Sequence, residues 1–248
     1  MKNTKNTILI DGDWLAFWHT ITNEYPCDWG NDMWTLHGDV KTATQTITAF
    51  LVELKEELKA DSIKVALSDS TNWRKRILPT YKESRKKIRK PLLYPRVREW
   101  LVAEYKAEMQ PTLEADDLLG IWATELDGKA IVVGEDKDFK QLPAKHYNPH
   151  KAEEGVIEVN KDQADWWHLF QALTGDQTDG YTGLVGCGPK TAEKILGPVG
   201  SKGLWDKVLK AYAKEGVPES EALVQARVSR ILRKGEYKNN EVILWQPA

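Results

Sequence analysis

Three short hydrophobic runs in this chain end on aspartate. Thr7-Ile8-Leu9-Ile10 leads into Asp11, Ile63-Lys64-Val65-Ala66-Leu67 into Ser68-Asp69, and Ala130-Ile131-Val132-Val133 into Gly134-Glu135-Asp136-Lys137-Asp138. Runs this short and this apolar predict strands covered on both faces, as in parallel sheets. Helix-period patterns at 40–59, 92–107 and 114–126 separate them, which is the βαβ alternation of a sheet flanked by helices. Beyond residue 155 the pattern turns helical, with expected helices at 161–174, 189–196, 203–214 and 219–234. The expected fold is therefore α/β, a central mostly parallel sheet flanked by helices over 1–155, followed by a helical extension over 156–248.

Composition narrows this picture. With 248 residues and 41% hydrophobic content the chain can bury a substantial core without disulfides. Cys27 and Cys187 are its only cysteines and stand in no metal-ligand spacing, which fits a reducing cytoplasm. The first residues precede an apolar run too short for a signal segment or a membrane span. These features predict a cytoplasmic protein with no membrane partner. Most of the eleven tryptophans, Trp166 and Trp167 among them, are expected to serve packing.

Charge changes the picture through its distribution. The net charge is only −2, yet residues 74–90 hold Arg74, Lys75, Arg76, Lys82, Arg85, Lys86, Lys87, Arg89 and Lys90 against Glu83 alone. Such a tract suits a polyanion, while the acidic remainder suits cations.

In open α/β sheets ligands bind beyond the carboxyl ends of the strands, so the three terminal aspartates share one rim. Glu114-Ala115-Asp116-Asp117 opens an expected helix, where acids also complement the helix dipole. Gly175-Asp176-Gln177-Thr178-Asp179-Gly180 reads as a turn aiming two carboxylates one way. Together Asp11, Asp69, Glu114, Asp116, Asp117, Asp136, Asp138, Asp176 and Asp179 would repel one another without cations. Oxygen-only donors select hard ions, Mg²⁺ or Mn²⁺. Two such ions would serve an in-line phosphodiester displacement without a covalent nucleophile.

These residues resemble the 5′-nuclease or flap-endonuclease superfamily through Ile10-Asp11-Gly12, Tyr81-Lys82-Glu83-Ser84-Arg85, Glu114-Ala115-Asp116-Asp117, Asp136-Lys137-Asp138 and Gly175-Asp176 to Asp179. Asn72-Trp73-Arg74-Lys75, Ala164-Asp165-Trp166-Trp167-His168-Leu169-Phe170 and Asp179-Gly180-Tyr181 are similar to the 5′→3′ exonucleases of short-tailed lytic bacteriophages. The resemblance implies a 5′→3′ exonuclease or structure-specific 5′ nuclease acting in phage DNA replication or degradation within a host cytoplasm. It implies that Asp11, Asp69, Glu114 and Asp116 surround one metal, that Asp136, Asp138, Asp176 and Asp179 surround a second, and that Asp117 lies near both. Asp13 and Glu135 are expected behind the ligands.

The basic tract corresponds to the family's helical arch, with Lys82 and Arg85 catalytic and Arg74 and Tyr81 on DNA. Gly183 to Ala192 is similar to its helix-hairpin-helix, within 181–197, where Gly186, Gly188 and Lys190 are expected to bind DNA phosphates and K⁺ is an implied ion. The implied partners are double-stranded DNA with 5′ ends or flaps, and RNA–DNA hybrids, bound by a monomer. Pro79 and Pro91 bracket eleven residues, a short arch that favours duplex ends over threaded flaps. Two alternatives stand beside this reading: a haloacid-dehalogenase-type phosphatase, suggested by Asp11-Gly12-Asp13 but opposed by Leu15, and a non-catalytic DNA-binding module, which leaves the carboxylates unexplained.

Overall fold

Ile8, Leu9 and Ile10 are fully buried, as suits β1 (Asn6–Asp11), an interior strand of a five-stranded sheet. The computed structural model describes residues 6–247. β1 pairs in parallel with β4 (Ala60–Ala66) and β5 (Ala130–Val133), with Ile8 opposite Ile63 on one side and Ile131 on the other. β6 (Lys145–Tyr147) continues the parallel set, and β7 (Ile157–Glu158) closes the edge antiparallel, in the order β4-β1-β5-β6-β7. The sheet thus runs past residue 155.

Alternation along β1 sorts its side chains between two cores. Ile8 and Ile10 pack with α1 (Gly12–Ile21), α2 (Val40–Glu57) and α3 (Tyr94–Tyr105) through Leu15, Ile47, Leu51 and Leu101. Leu9 packs on the other face with Leu118, Leu119 and Trp122 of α4 (Ala115–Glu125). The extension, α5 (Lys161–Thr174), α6 (Pro189–Leu196), α7 (Leu204–Lys214) and α8 (Glu219–Ser229), surrounds Leu173, Leu196, Val208, Tyr212 and Ala222.

Three differences from the expected pattern bear on function. The helix expected over 219–234 stops at Ser229, and the chain continues extended beneath α4, where Ile231 and Leu232 join the α4 core. Gly120 makes room for it, since a Cβ there would collide with the Leu232 carbonyl. Side-chain bonds outweigh helical continuation: Arg233 donates to Asp165 and to the Gln141 carbonyl.

The expected helical arch is not helical. Residues 74–90 carry two single 3₁₀ turns, Trp73–Arg76 and Ser84–Lys87, and Lys82 sits in the left-handed region at φ 53°. The Lys82 amide bonds the Asp179 carbonyl at 2.8 Å, which ties the tract to the acidic turn instead of freeing it to coil.

An unforeseen hairpin, β2 (Tyr25–Asp28) with β3 (Trp34–His37), follows α1. Its turn uses Asn31 and Asp32 at φ 52° and 59°, residues that tolerate left-handed backbone. Trp29 and Trp34 on this hairpin are more than half exposed, while the other nine tryptophans are buried or half-buried, as expected of most of them.

Candidate active site

Asp11 and Asp136 are placed by the same local device. Asp11 is the last residue of β1 and Asp136 lies three residues past the end of β5, and each caps the turn that follows: Asp11 Oδ1 accepts from the Asp13 and Trp14 amides, and Asp136 Oδ1 from the Asp138 amide. In each carboxylate these bonds fall on Oδ1, and Oδ2 accepts no hydrogen bond from any described residue. β1 and β5 are paired neighbours, and the loop after β5 brings Asp136 close enough for its charge to raise the proton affinity of Asp11. Asp116, in the first turn of α4, completes the group, and its carboxylate accepts no hydrogen bond from any described residue.

Crowding shows in the proton affinities. Burial, then the Asp13 charge, pushes Asp11 up to about 7. Burial, then Asp11 and Asp136, raises Asp116 well above the carboxylate range. Burial also raises Asp136, and burial with the Asp136 and Asp179 charges takes Asp138 to about 7. These four carboxylates share a desolvated volume in which charge is unfavourable unless cations balance it.

The tract residues meet the acids on the other side. Lys82 Nζ lies 2.6 Å from Glu114 Oε1 and 3.5 Å from Asp179 Oδ2, and Arg85 donates to Asp179 Oδ1. Burial opposes the Lys82 charge, but Glu114 and Asp179 raise its proton affinity overall. Burial likewise opposes the Glu114 charge, yet Lys82 and Arg74 hold it at about 2. Lys82 and Arg85 therefore converge on the acids through turns and not through a shared helix face.

The structure separates four residues from their expected roles. Arg74 is 3% exposed and binds Asp117, Glu114 and the carbonyls of Val228 and Arg230, so no face of it is left for DNA. Tyr81 is equally buried, and its hydroxyl donates to Glu114 and Asp179. Asp117 is fully buried and accepts from Arg74, Trp73 Nε1 and the Leu232 amide, which leaves no oxygen for a metal. Asp69 is committed to the Thr71 hydroxyl and to the Thr112 and Ser70 amides. Those bonds, the Thr71 hydroxyl first, hold it at about 2 and make it a loop brace.

Asp176 Oδ1 takes the Thr178 and Asp179 amides, and Lys137 Nζ pairs with Oδ2 at 2.8 Å. Gly175 at φ 68° and Gly183 at φ 63° back onto one another, and a Cβ on either would strike backbone, which fixes this turn. Asp13 stands behind the cluster, accepting from Tyr94, Arg98 and the Ser68 amide.

Two contributors went unseen in the sequence. Lys137 lies between two candidate ligands. Gln171 donates to Asp138 Oδ1 at 2.6 Å and is braced by Gln141. The available signal was a glutamine inside the apolar run Leu169-Phe170-Gln171-Ala172-Leu173.

The hairpin loop precedes α6, with Cys187 buried in the helical core. Gly186, at φ 79°, and Gly188 have open space where a Cβ would stand, and Lys190 is exposed. Among the described residues no helix is long and apolar enough to cross a membrane.

A strand-end aspartate cluster on a parallel sheet, bridged by basic turns and followed by a helical hairpin, defines a nuclease-type α/β enzyme. The family model for the 5′-3′ exonuclease N-terminal resolvase-like domain matches residues 6–165, and the chain belongs to that 5′ nuclease family. An exodeoxyribonuclease of Enterobacteria phage T3 is 32% identical over 98% of this chain and 93% of its own length. The exonuclease of Escherichia phage T7 is 32% identical over 98% and 94%. Among solved structures, the T5 D15 protein co-crystallised with metal ions superposes with a TM-score of 0.62 at 16% identity, covering 91% of this chain and 89% of that one, a likeness of fold.

Proposed function

We propose that this chain is a Mg²⁺-dependent 5′→3′ nuclease that hydrolyses phosphodiesters at the 5′ ends of duplex DNA. The observation that carries the reading is the crowding of Asp11, Asp116, Asp136 and Asp138 beneath Lys82 and Arg85. The donor set fits a hard cation: oxygen only, with free oxygens on Asp11, Asp116 and Asp136. Among the described residues no three such side chains already enclose a point that would hold an ion. An ion that retains several waters needs no closed cage.

Asp11, Asp116, Asp136 and Asp138 hold the metals in this proposal, with Glu114, Asp176 and Asp179 around them. Bound Mg²⁺ supplies an acidified water and charge for the departing oxygen. Lys82 and Arg85 bring positive charge to the scissile phosphate, where negative charge develops. Gln171 and the capped turns fix the carboxylates so that little reorganisation is needed. The Gly186–Gly188 loop and Lys190 receive a duplex phosphate: the open space at Gly188 means the fold itself does not require a glycine there, whereas close approach by a backbone does.

The relatives named exodeoxyribonuclease and exonuclease support the activity, and the T5 D15 metal complex supports the cofactor class. A 5′-labelled duplex incubated with Mg²⁺, and with chelator, tests the reading. Mononucleotides or short 5′ fragments formed only with metal are expected, and release without metal or from the 3′ end would sink it. A hybrid with labelled RNA in the same assay decides whether ribose is accepted.

A further inference from the structure

α7 carries a basic stripe that the site described above leaves unused. Val208 and Tyr212 turn one face of this helix into the core. Lys207, Lys210 and Lys214, spaced i, i+3, i+7, therefore line another. Lys207 Nζ caps the Leu196 carbonyl at 2.6 Å and locks the stripe against the end of α6. The stripe is one wall of a concavity of about 520 Å³ whose opposite wall is the hairpin loop at Gly186 and Cys187, with Lys194 of α6 between them. Four lysines face this space and Glu215 is the acid among its walls.

The state of these cations separates them from the ones at the acidic cluster. Lys82, Arg85 and Lys137 are all paired with carboxylates. Lys194, Lys210 and Lys214 are exposed and form no ion pair with any described residue. Unpaired lysines lining a groove beside a loop open to backbone approach form a surface for a polyanion, since neutralising phosphates releases counterions at little cost in broken protein contacts.

We infer that Lys194, Lys210 and Lys214 form a second phosphate-binding wall that carries the duplex onward from the hairpin loop, so that the DNA is gripped on both sides of the groove. The inference rests on the nuclease reading above. Its consequence is a dependence on duplex length, because this wall engages only DNA that extends past the loop.

The test compares the parent, Lys210→Gln/Lys214→Gln and Lys190→Gln by equilibrium binding to a ladder of blunt duplexes at several salt concentrations in chelator. Thermal melts establish that each variant is folded. On long duplexes the double variant is expected to lower the log–log salt slope by about 1.8, two contacts of roughly 0.9 each. On the shortest duplexes that still bind, it should match the parent, whereas Lys190→Gln should differ at every length. An unchanged slope at all lengths overturns the inference, and so does a deficit equally present on the shortest duplexes. A parent that binds no duplex at any length would instead remove the nuclease reading on which the inference stands.

Discussion

The Arg74 guanidinium grips the Asp117 carboxylate with two prongs of 2.8 Å each, and neither side chain is more than 3% exposed. This pair joins the start of the basic tract to α4, while the same guanidinium bonds the Val228 and Arg230 carbonyls from the far end of the chain. Removing one partner leaves the other as an unpaired buried charge. Arg74→Ala or Asp117→Ala should therefore cost about 3–5 kcal/mol of unfolding free energy, read from denaturant midpoints. Arg74→Lys, if folded, should bind duplex with the parent's salt slope. A reduced slope would return Arg74 to the DNA.

Lys82→Ala and Arg85→Ala should slow cleavage on the order of 10²-fold, while duplex affinity changes far less, because their charge matters most as the transition state develops. Single-turnover rates at saturating enzyme, set beside equilibrium binding, provide the comparison. A near-normal rate with lost affinity would reassign both residues to binding.

Asp11 and Asp138 hold their protons to about pH 7 in the fold, against an ordinary value near 3.8. Between these limits the folded state binds more protons than the unfolded one, so in chelator stability falls as pH rises from about 4 to 7. Asp138→Asn should relieve this loss, raising the melting temperature at pH 8 and converging on the parent near pH 4. Asp11→Asn keeps an N-cap side chain and should behave likewise. A variant that melts lower than the parent at pH 8 in chelator would show that crowding is not what that carboxylate feels.

Asp176 should respond in the opposite direction. Burial pushes its proton affinity up, but the Lys137 bond and the turn amides hold it below its ordinary value. Its contribution to stability is present above the unfolded pKa and is lost as pH falls through the lower folded one. Asp176→Asn should then lower the melting temperature at pH 7 in chelator, and Lys137→Met should do so less. Equal stabilisation by Asp176→Asn and Asp138→Asn would contradict the distinction between the two.

The strands were legible because buried parallel strands write themselves as continuous apolar runs, and the ends of β1 and β5 put Asp11 and Asp136 where that pattern places them. Helices α5 and α6 match their expected limits, since the capping Asn160 before α5 and Pro189 in the first helical position of α6 mark their starts in the sequence. The basic tract was misread as a helix because nothing local announces that the Lys82 amide will be captured by Asp179, nearly a hundred residues on. Asp117 and Arg74 were misassigned for a related reason. A buried ion pair and a ligand or phosphate contact use the same residue types, and only tertiary burial distinguishes them. The β2–β3 hairpin offered only Gly30-Asn31-Asp32 as a turn signal between two poorly alternating strands.

The segment after α8 lies extended beneath α4, where the Leu232 amide reaches Asp117 and Arg233 reaches Gln141, the residue that braces Gln171 against Asp138. Two supports behind the acidic cluster, those at Asp117 and at Asp138, are thus closed by residues synthesised more than two hundred positions after the cluster's first member, Asp11. Long-range closure of this kind comes late in folding. On the ribosome, a nascent chain that has emerged only as far as Ser229 carries every carboxylate of the cluster but lacks the strap that aligns them, so assembly of the site waits until residues 230–233 have left the exit tunnel.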